Sequence, residues 1–160
     1  MTPGLFKRYK TAKDFAQADP ATLEQAVRTT GFFRSKALSI RESCREIVER
    51  FGGQVPQSMD ELLGLRGVAR KTANVILGSA FKKAEGVVVD THVKRVSYRL
   101  GLTGAVDPVK IERDLQAAVP RKDWIFIGHA LTWHGRRRCY ARSPDCPGCL
   151  LNSVCPKRGV

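Results

Sequence analysis

The sequence predicts an all-α protein built as two small helical lobes, and three observations carry that expectation. Every substantial apolar pattern repeats with the helical period, glycine and proline clusters cut those patterns into short helices, and four of the five cysteines crowd the C-terminal end. Alternating strand-like segments are nearly absent, and no internal repeat is evident.

The elements follow in chain order. Met1 to Lys13 is basic with scattered aromatics, Phe6 and Tyr9, and offers no strong cap. Asp19-Pro20 opens a helix with proline in its first position and Leu23, Ala26 and Val27 as its apolar face. Gly31-Phe32-Phe33 interrupts, and a longer helix from about Ser35 to Phe51 carries Leu38, Ile40, Cys44, Ile47, Val48 and Phe51. Cys44 falls on that apolar stripe and reads as a core thiol with no chemical role. The loop Gly52-Gly53-Gln54-Val55-Pro56 leads to Ser58, which with Glu61 has the form of a capping box for a helix through Met59, Leu62 and Leu63. That helix is expected to end near Gly64. After the turn, Ala73, Ile76, Leu77 and Ala80 recur at helical spacing and predict one buried stripe. Lys71 then lies opposite it, beside Asn74, Val75 and Gly78.

Lys82 to Gly86 breaks the helical pattern and Val87-Val88-Val89 forms a short extended run, so the lobe boundary is expected in 82–89, giving lobes 1–84 and 85–160. Asp90 heads a helix on Val93, Val96 and Leu100, stopped by Gly101. Asp107-Pro108 starts another on Ile111, Leu115 and Val119, ended at Pro120. The last long helix, roughly Lys122 to Arg138, packs Trp124, Ile127 and Leu131, with His134 on the same side. The Arg136-Arg137-Arg138 run at its end is either a solvated terminus or a phosphate contact.

Composition narrows the function classes. The chain has 160 residues, 42% of them hydrophobic, and a formal net charge of +13, which suits a globular protein with a polyanionic partner. Charge alone supplies only salt-sensitive, sequence-independent attraction to nucleic acid or anionic membranes. No apolar run is long enough to cross a bilayer, and the first residues lack the apolar core of a signal peptide. A reducing compartment is therefore the expected setting, and the cysteines are not read first as disulfides.

Two clusters carry chemistry. The stretch Leu62 to Asn74 is a helix-hairpin-helix: its glycine turn leads into a helix whose first N–H groups favour a phosphate by hydrogen bonding and by the helix dipole. The second is Cys139-x6-Cys146-x2-Cys149-x5-Cys155. Lobes this small bury only roughly 60% of their unfolded surface, so a staple on the second is expected. Spacing alone leaves zinc, an iron–sulfur cluster and disulfides open.

Taken in order, Leu65-x-Gly67-Val68-x-Arg70-Lys71-Thr72-Ala73-Asn74-Val75, then Val89-Asp90-Thr91-His92-Val93, then the 6-2-5 cysteine spacing, resemble the endonuclease III family over nearly the whole chain, from about Phe6 to Lys157. The resemblance implies a two-lobed helix-hairpin-helix DNA glycosylase fold with a C-terminal cluster loop. It moves a 4Fe–4S cluster ahead of zinc, held by Cys139, Cys146, Cys149 and Cys155, with a structural role and a redox link to DNA binding. It implies Lys71 as the nucleophile, Asp90 as the essential carboxylate, and Phe32 as the wedge that props open the base stack. Gly67, Ala69 and Arg70 take the position of the DNA-gripping hairpin.

The implied activity is base-excision repair: a bifunctional glycosylase that removes oxidised pyrimidines from double-stranded DNA and cuts abasic sites by β-elimination through a lysine Schiff base. The implied setting is a monomer in the cytoplasm, associated with the nucleoid, without membrane attachment. A monofunctional mismatch or adenine glycosylase is the alternative within the superfamily, opposed by Lys71 and by Thr91-His92; a non-catalytic DNA-binding fragment is the alternative outside it. The chain departs from the family pattern at Arg66, where relatives usually carry proline, and at Ala69, where they carry glycine. It also begins late, without the N-terminal helix and gap-filling segment of relatives, so it is expected to be N-terminally truncated. At the start of a helical pattern an Asp such as Asp90 is more often an N-cap than a catalyst, and one carboxylate can serve both roles.

Overall fold

A computed structural model describes residues 2–160. Among them every regular element is helical: α1 (Thr2–Arg8), α2 (Ala12–Ala16), α3 (Pro20–Val27), α4 (Phe33–Phe51), α5 (Met59–Leu63), α6 (Arg70–Val75), α7 (Thr91–Arg99), α8 (Pro108–Ala118) and α9 (Trp124–Arg137). The all-α expectation holds. No helix of the described residues is long and apolar enough to cross a membrane. The chain divides into two compact units, Met1–Ala73 and Asn74–Val160.

In the first unit, α2 and α3 pack on α4 around Tyr9, Phe15, Ala18, Leu23, Val27 and Ala37. Cys44 packs against this cluster from α4, and burial pushes its thiol up, as a core thiol requires. The opening stretch differs from expectation, because Thr2–Arg8 and Ala12–Ala16 are helical. Thr11 and Asp14 form a complete capping box at the start of α2, and the Tyr9 and Phe15 rings meet at 4.9 Å. Asp14 is acidified by the Lys10 and Thr11 backbone N–H bonds it accepts. Basic composition hid this cap, and aromatic packing gives the short helices the stability that their length cannot.

The second unit is built on Val87, Val93, Val96, Ile111, Leu115 and Leu131, with α7 packed against α9. Asp90 and Asp107 cap α7 and α8, as their positions predict. Helix α6 runs on into a π-turn, Ile76–Ala80, and here the expected stripe fails in part. Ala73 and Leu77 are fully buried, but Ala80 is exposed while Asn74 and Gly78 are buried. A wider π-turn advances each residue by a smaller angle than an α-turn, so the inward face drifts away from Ala80.

Asn74 is inside because it has a partner: its Nδ2 donates to Glu112 Oε1 of α8 at 3.0 Å. The pair sits against Gly86, where a Cβ would run into that same Glu112 oxygen and lie 2.7 Å from Asn74 Oδ1. Gly86→Ala is therefore expected to destabilise the protein by about 3 kcal/mol, through overpacking and disruption of a buried hydrogen bond. Urea unfolding measures it, and a loss under about 0.5 kcal/mol would mean that Glu112 swings away freely.

Candidate functional site

The hairpin belongs to the first unit. Ser58 caps α5 by accepting the Glu61 N–H at 3.3 Å, but its hydroxyl donates to the Glu61 carboxylate at 2.6 Å, so that carboxylate holds the cap's side chain. Leu62 and Leu65 are buried and anchor the turn, while Gly67, Ala69 and Lys71 are exposed. Leu65 and Val68 N–H groups close it onto the Leu62 and Leu65 carbonyls, and the Ala69 carbonyl accepts the Ala73 N–H that starts α6.

Gly67 alone in this turn takes the left-handed conformation, with φ of 78°. A Cβ there would stand 2.9 Å from the Ser39 Cβ of α4, so glycine is required twice over. Ala69 lies outside the left-handed region and fits without strain. Arg70, half-buried, and Lys71 open α6.

Phe32 also lies in this unit, between Gly31 and α4. Its backbone is left-handed, with φ of 47° and ψ of 33°, and its ring is 89% exposed. A bulky residue in that region carries strain, which persists only where the surroundings fix it.

Asp90 belongs to the second unit. Oδ1 accepts the Val93 N–H at 2.8 Å as the cap of α7, and Oδ2 lies 3.4 Å from the Thr132 hydroxyl of α9.

The tail brings the four predicted cysteines together. Cys139, Cys146, Cys149 and Cys155 line one open cavity with Arg99 and His134. No three His, Cys, Asp or Glu side chains of the described residues converge as a single-ion site. The four sulfurs are unpaired with one another. Donors face them: the Leu151 N–H reaches Cys149 Sγ, the Lys157 N–H reaches Cys155 Sγ, and Arg99 Nη1 reaches Cys139 Sγ, each at 3.4 Å. His134 Nε2 stands 3.7 Å from Cys149 Sγ, and burial pushes its imidazole down, towards the neutral form. Between two of the cysteines, Asp145 accepts the Gly148 N–H at 3.0 Å and pairs with Arg138. The Gly148 bond, ahead of Arg138, holds its carboxyl below the usual range.

Sequence reasoning missed the residues that hold this tail. Arg99 is 7% exposed and spans the Tyr140 and Ala141 carbonyls at 2.6 and 3.1 Å, while Arg95, one turn earlier, reaches the Cys139 and Gly135 carbonyls. Two arginines at i and i+4 on a helix whose other face is Val93 and Val96 were the available signal.

The helical hairpin and the four-cysteine tail define a class of protein. The profile of the HhH-GPD superfamily, described as base excision DNA repair proteins, matches residues 1–121. The endonuclease III of Synechocystis sp. is 53% identical over 98% of this chain and 71% of its own length, and that of Bacillus subtilis is 42% identical over 97% and 71%. A solved structure of a trapped endonuclease III–DNA covalent intermediate superposes with a TM-score of 0.92 at 39% identity, covering 98% of this chain and 73% of that one. The chain belongs to the endonuclease III family.

Proposed function

We propose that this chain is a bifunctional DNA glycosylase and AP lyase that excises oxidised pyrimidines from duplex DNA through Lys71. The observation that carries the reading is an exposed lysine in the first turn of α6, directly after the glycine hairpin, in a family with a member that forms a trapped covalent intermediate with DNA. Asp90 supports it with a carboxylate anchored by its cap bond and half-open to solvent.

The chemistry follows from those groups. A damaged base must leave the stack, which costs a few kcal/mol and less for a poorly stacked lesion. Phosphate contacts of the hairpin at Gly67, Ala69 and Arg70, and the exposed Phe32 ring as a wedge, offset that cost. The neutral Lys71 amine attacks C1′ of the deoxyribose; the glycosidic bond breaks and the base leaves with the electron pair and takes up a proton. Asp90 is the carboxylate assigned to stabilise the developing positive charge on the sugar, and the amine passes its proton to water. Ring opening gives a Schiff base, loss of the C2′ proton expels the 3′ phosphate, and water releases the lysine.

Cys139, Cys146, Cys149 and Cys155 would hold a 4Fe–4S cluster. Four sulfurs lining one cavity, with N–H donors aimed at three of them, fit a polynuclear group better than a single tetrahedral ion. When bound, it ties the tail together and supplies a redox-active centre. Arg95 and Arg99 hold the backbone that presents Cys139.

Borohydride trapping on a duplex with one abasic site tests the reading. A covalent adduct is expected, because hydride reduces the C=N bond of a lysine Schiff base to a permanent amine. Intact duplex binding without any adduct would replace the lyase with a binding module.

A further inference from the structure

Asp90 spends one oxygen on the helix cap and leaves the other for a second partner. Oδ1 is committed to the Val93 N–H at 2.8 Å, leaving Oδ2 as the oxygen available for chemistry. The side-chain hydroxyl that reaches Oδ2 comes from α9, from Thr132 at 3.4 Å. The same hydroxyl lies 2.9 Å from the Gly128 carbonyl one turn back. That back-bond fixes the rotamer of a β-branched side chain, so Oγ1 faces Asp90 by construction.

Gly128 marks the approach. It is buried, and a Cβ there would already stand 3.5 Å from the Val88 backbone N and O, so α9 lies directly against the segment that delivers Asp90. Thr132 and Gly128 also line a partly open cleft with Asn74, Gly78 and His129, so the hydroxyl stands at the edge of open space and not in sealed core.

We propose that Thr132 is a positioning residue for Asp90, its hydroxyl holding Oδ2 in one orientation while the cap holds Oδ1. The proposal rests on the reading of Asp90 as the essential carboxylate. With both oxygens held, the carboxylate plane is fixed before substrate arrives, and preorganisation of that kind acts on the chemical step rather than on binding. The hydroxyl has one proton and two acceptors. The ionised Asp90 carboxylate competes for it with the neutral Gly128 carbonyl, and hydrogen bonds to an ion are roughly twice as strong.

The test compares Thr132→Val, Thr132→Ser and Asp90→Asn with the unaltered, iron-replete chain. Single-turnover excision is measured on a duplex carrying one thymine glycol, duplex affinity and melting temperature are measured separately, and abasic-site trapping serves as the control. Valine keeps the shape and removes the hydroxyl. Thr132→Val is expected to slow excision about tenfold with affinity and melting temperature unchanged, Thr132→Ser to recover to within about twofold, and Thr132→Val on top of Asp90→Asn to cost nothing further.

An active parent chain with an unaffected Thr132→Val overturns the role of Thr132 alone. So does a serine variant as slow as the valine one, because the methyl group would then be what matters. A parent chain that binds duplex but neither excises nor traps overturns the reading of Asp90, and the Thr132 role with it.

Discussion

Lys71→Ala is expected to abolish the borohydride-trapped adduct on an abasic-site duplex and to lower excision by at least about 10³-fold, with duplex affinity changed little. The size follows from the role: alanine removes the atom that bonds to C1′, and no neighbouring group replaces a covalent nucleophile. The fold should be indifferent. Lys71 is exposed, and the burial that holds the hairpin comes from Leu62, Leu65 and Ala73. Gel separation of the adduct after reduction reads the first effect, and the melting temperature checks the second. An adduct that persists in Lys71→Ala would assign the nucleophile to another amine.

Cys155→Ser is expected to have the next largest effect, on the tail instead of the hairpin. The segment from Cys139 to Val160 contains no α-helix, and much of it is exposed, so its order depends on polar contacts and on whatever the four sulfurs bind. Cys155 is the last of the four, with the Lys157 N–H at its sulfur and its own thiol 3.4 Å from the Arg99 carbonyl. Loss of one ligand is expected to lower iron affinity by about 100-fold or more and, because ligand binding is also folding free energy, to expose the tail to protease first. Iron content and limited trypsinolysis are the readouts. Full iron retention with an unchanged cleavage pattern would show that Cys155 is not a ligand.

Local chemistry was the legible part of this chain. Asp19, Asp90 and Asp107 cap α3, α7 and α8 where the sequence puts them, because a cap involves residues two or three apart. The hairpin was equally readable, down to Gly67. What escaped depends on contacts across the chain. The helices Thr2–Arg8 and Ala12–Ala16 are stabilised by aromatic rings meeting α4, which no local pattern announces. Asn74 was placed on an outward face and is buried, because a carboxylate 38 positions away accepts from its Nδ2 and a π-turn rotates the helix beyond it. Arg95, Arg99 and Thr132 act through partners about 40 residues away along the chain, so each reads as an ordinary helical residue until the fold is seen.

Cys44 gives the five thiols of this chain two chemical populations. Burial raises its thiol above the ordinary range, and the protonated form it favours is a poor nucleophile. The other four sulfurs border an open cavity. A mild alkylating reagent applied to the native protein is expected to react more slowly at Cys44 than at any tail sulfur left free, so the mass gained per chain counts the free tail thiols. If the four tail sulfurs hold the proposed cluster, its occupancy is legible in an intact-mass spectrum, with Cys44 of α4 as the slow internal reference.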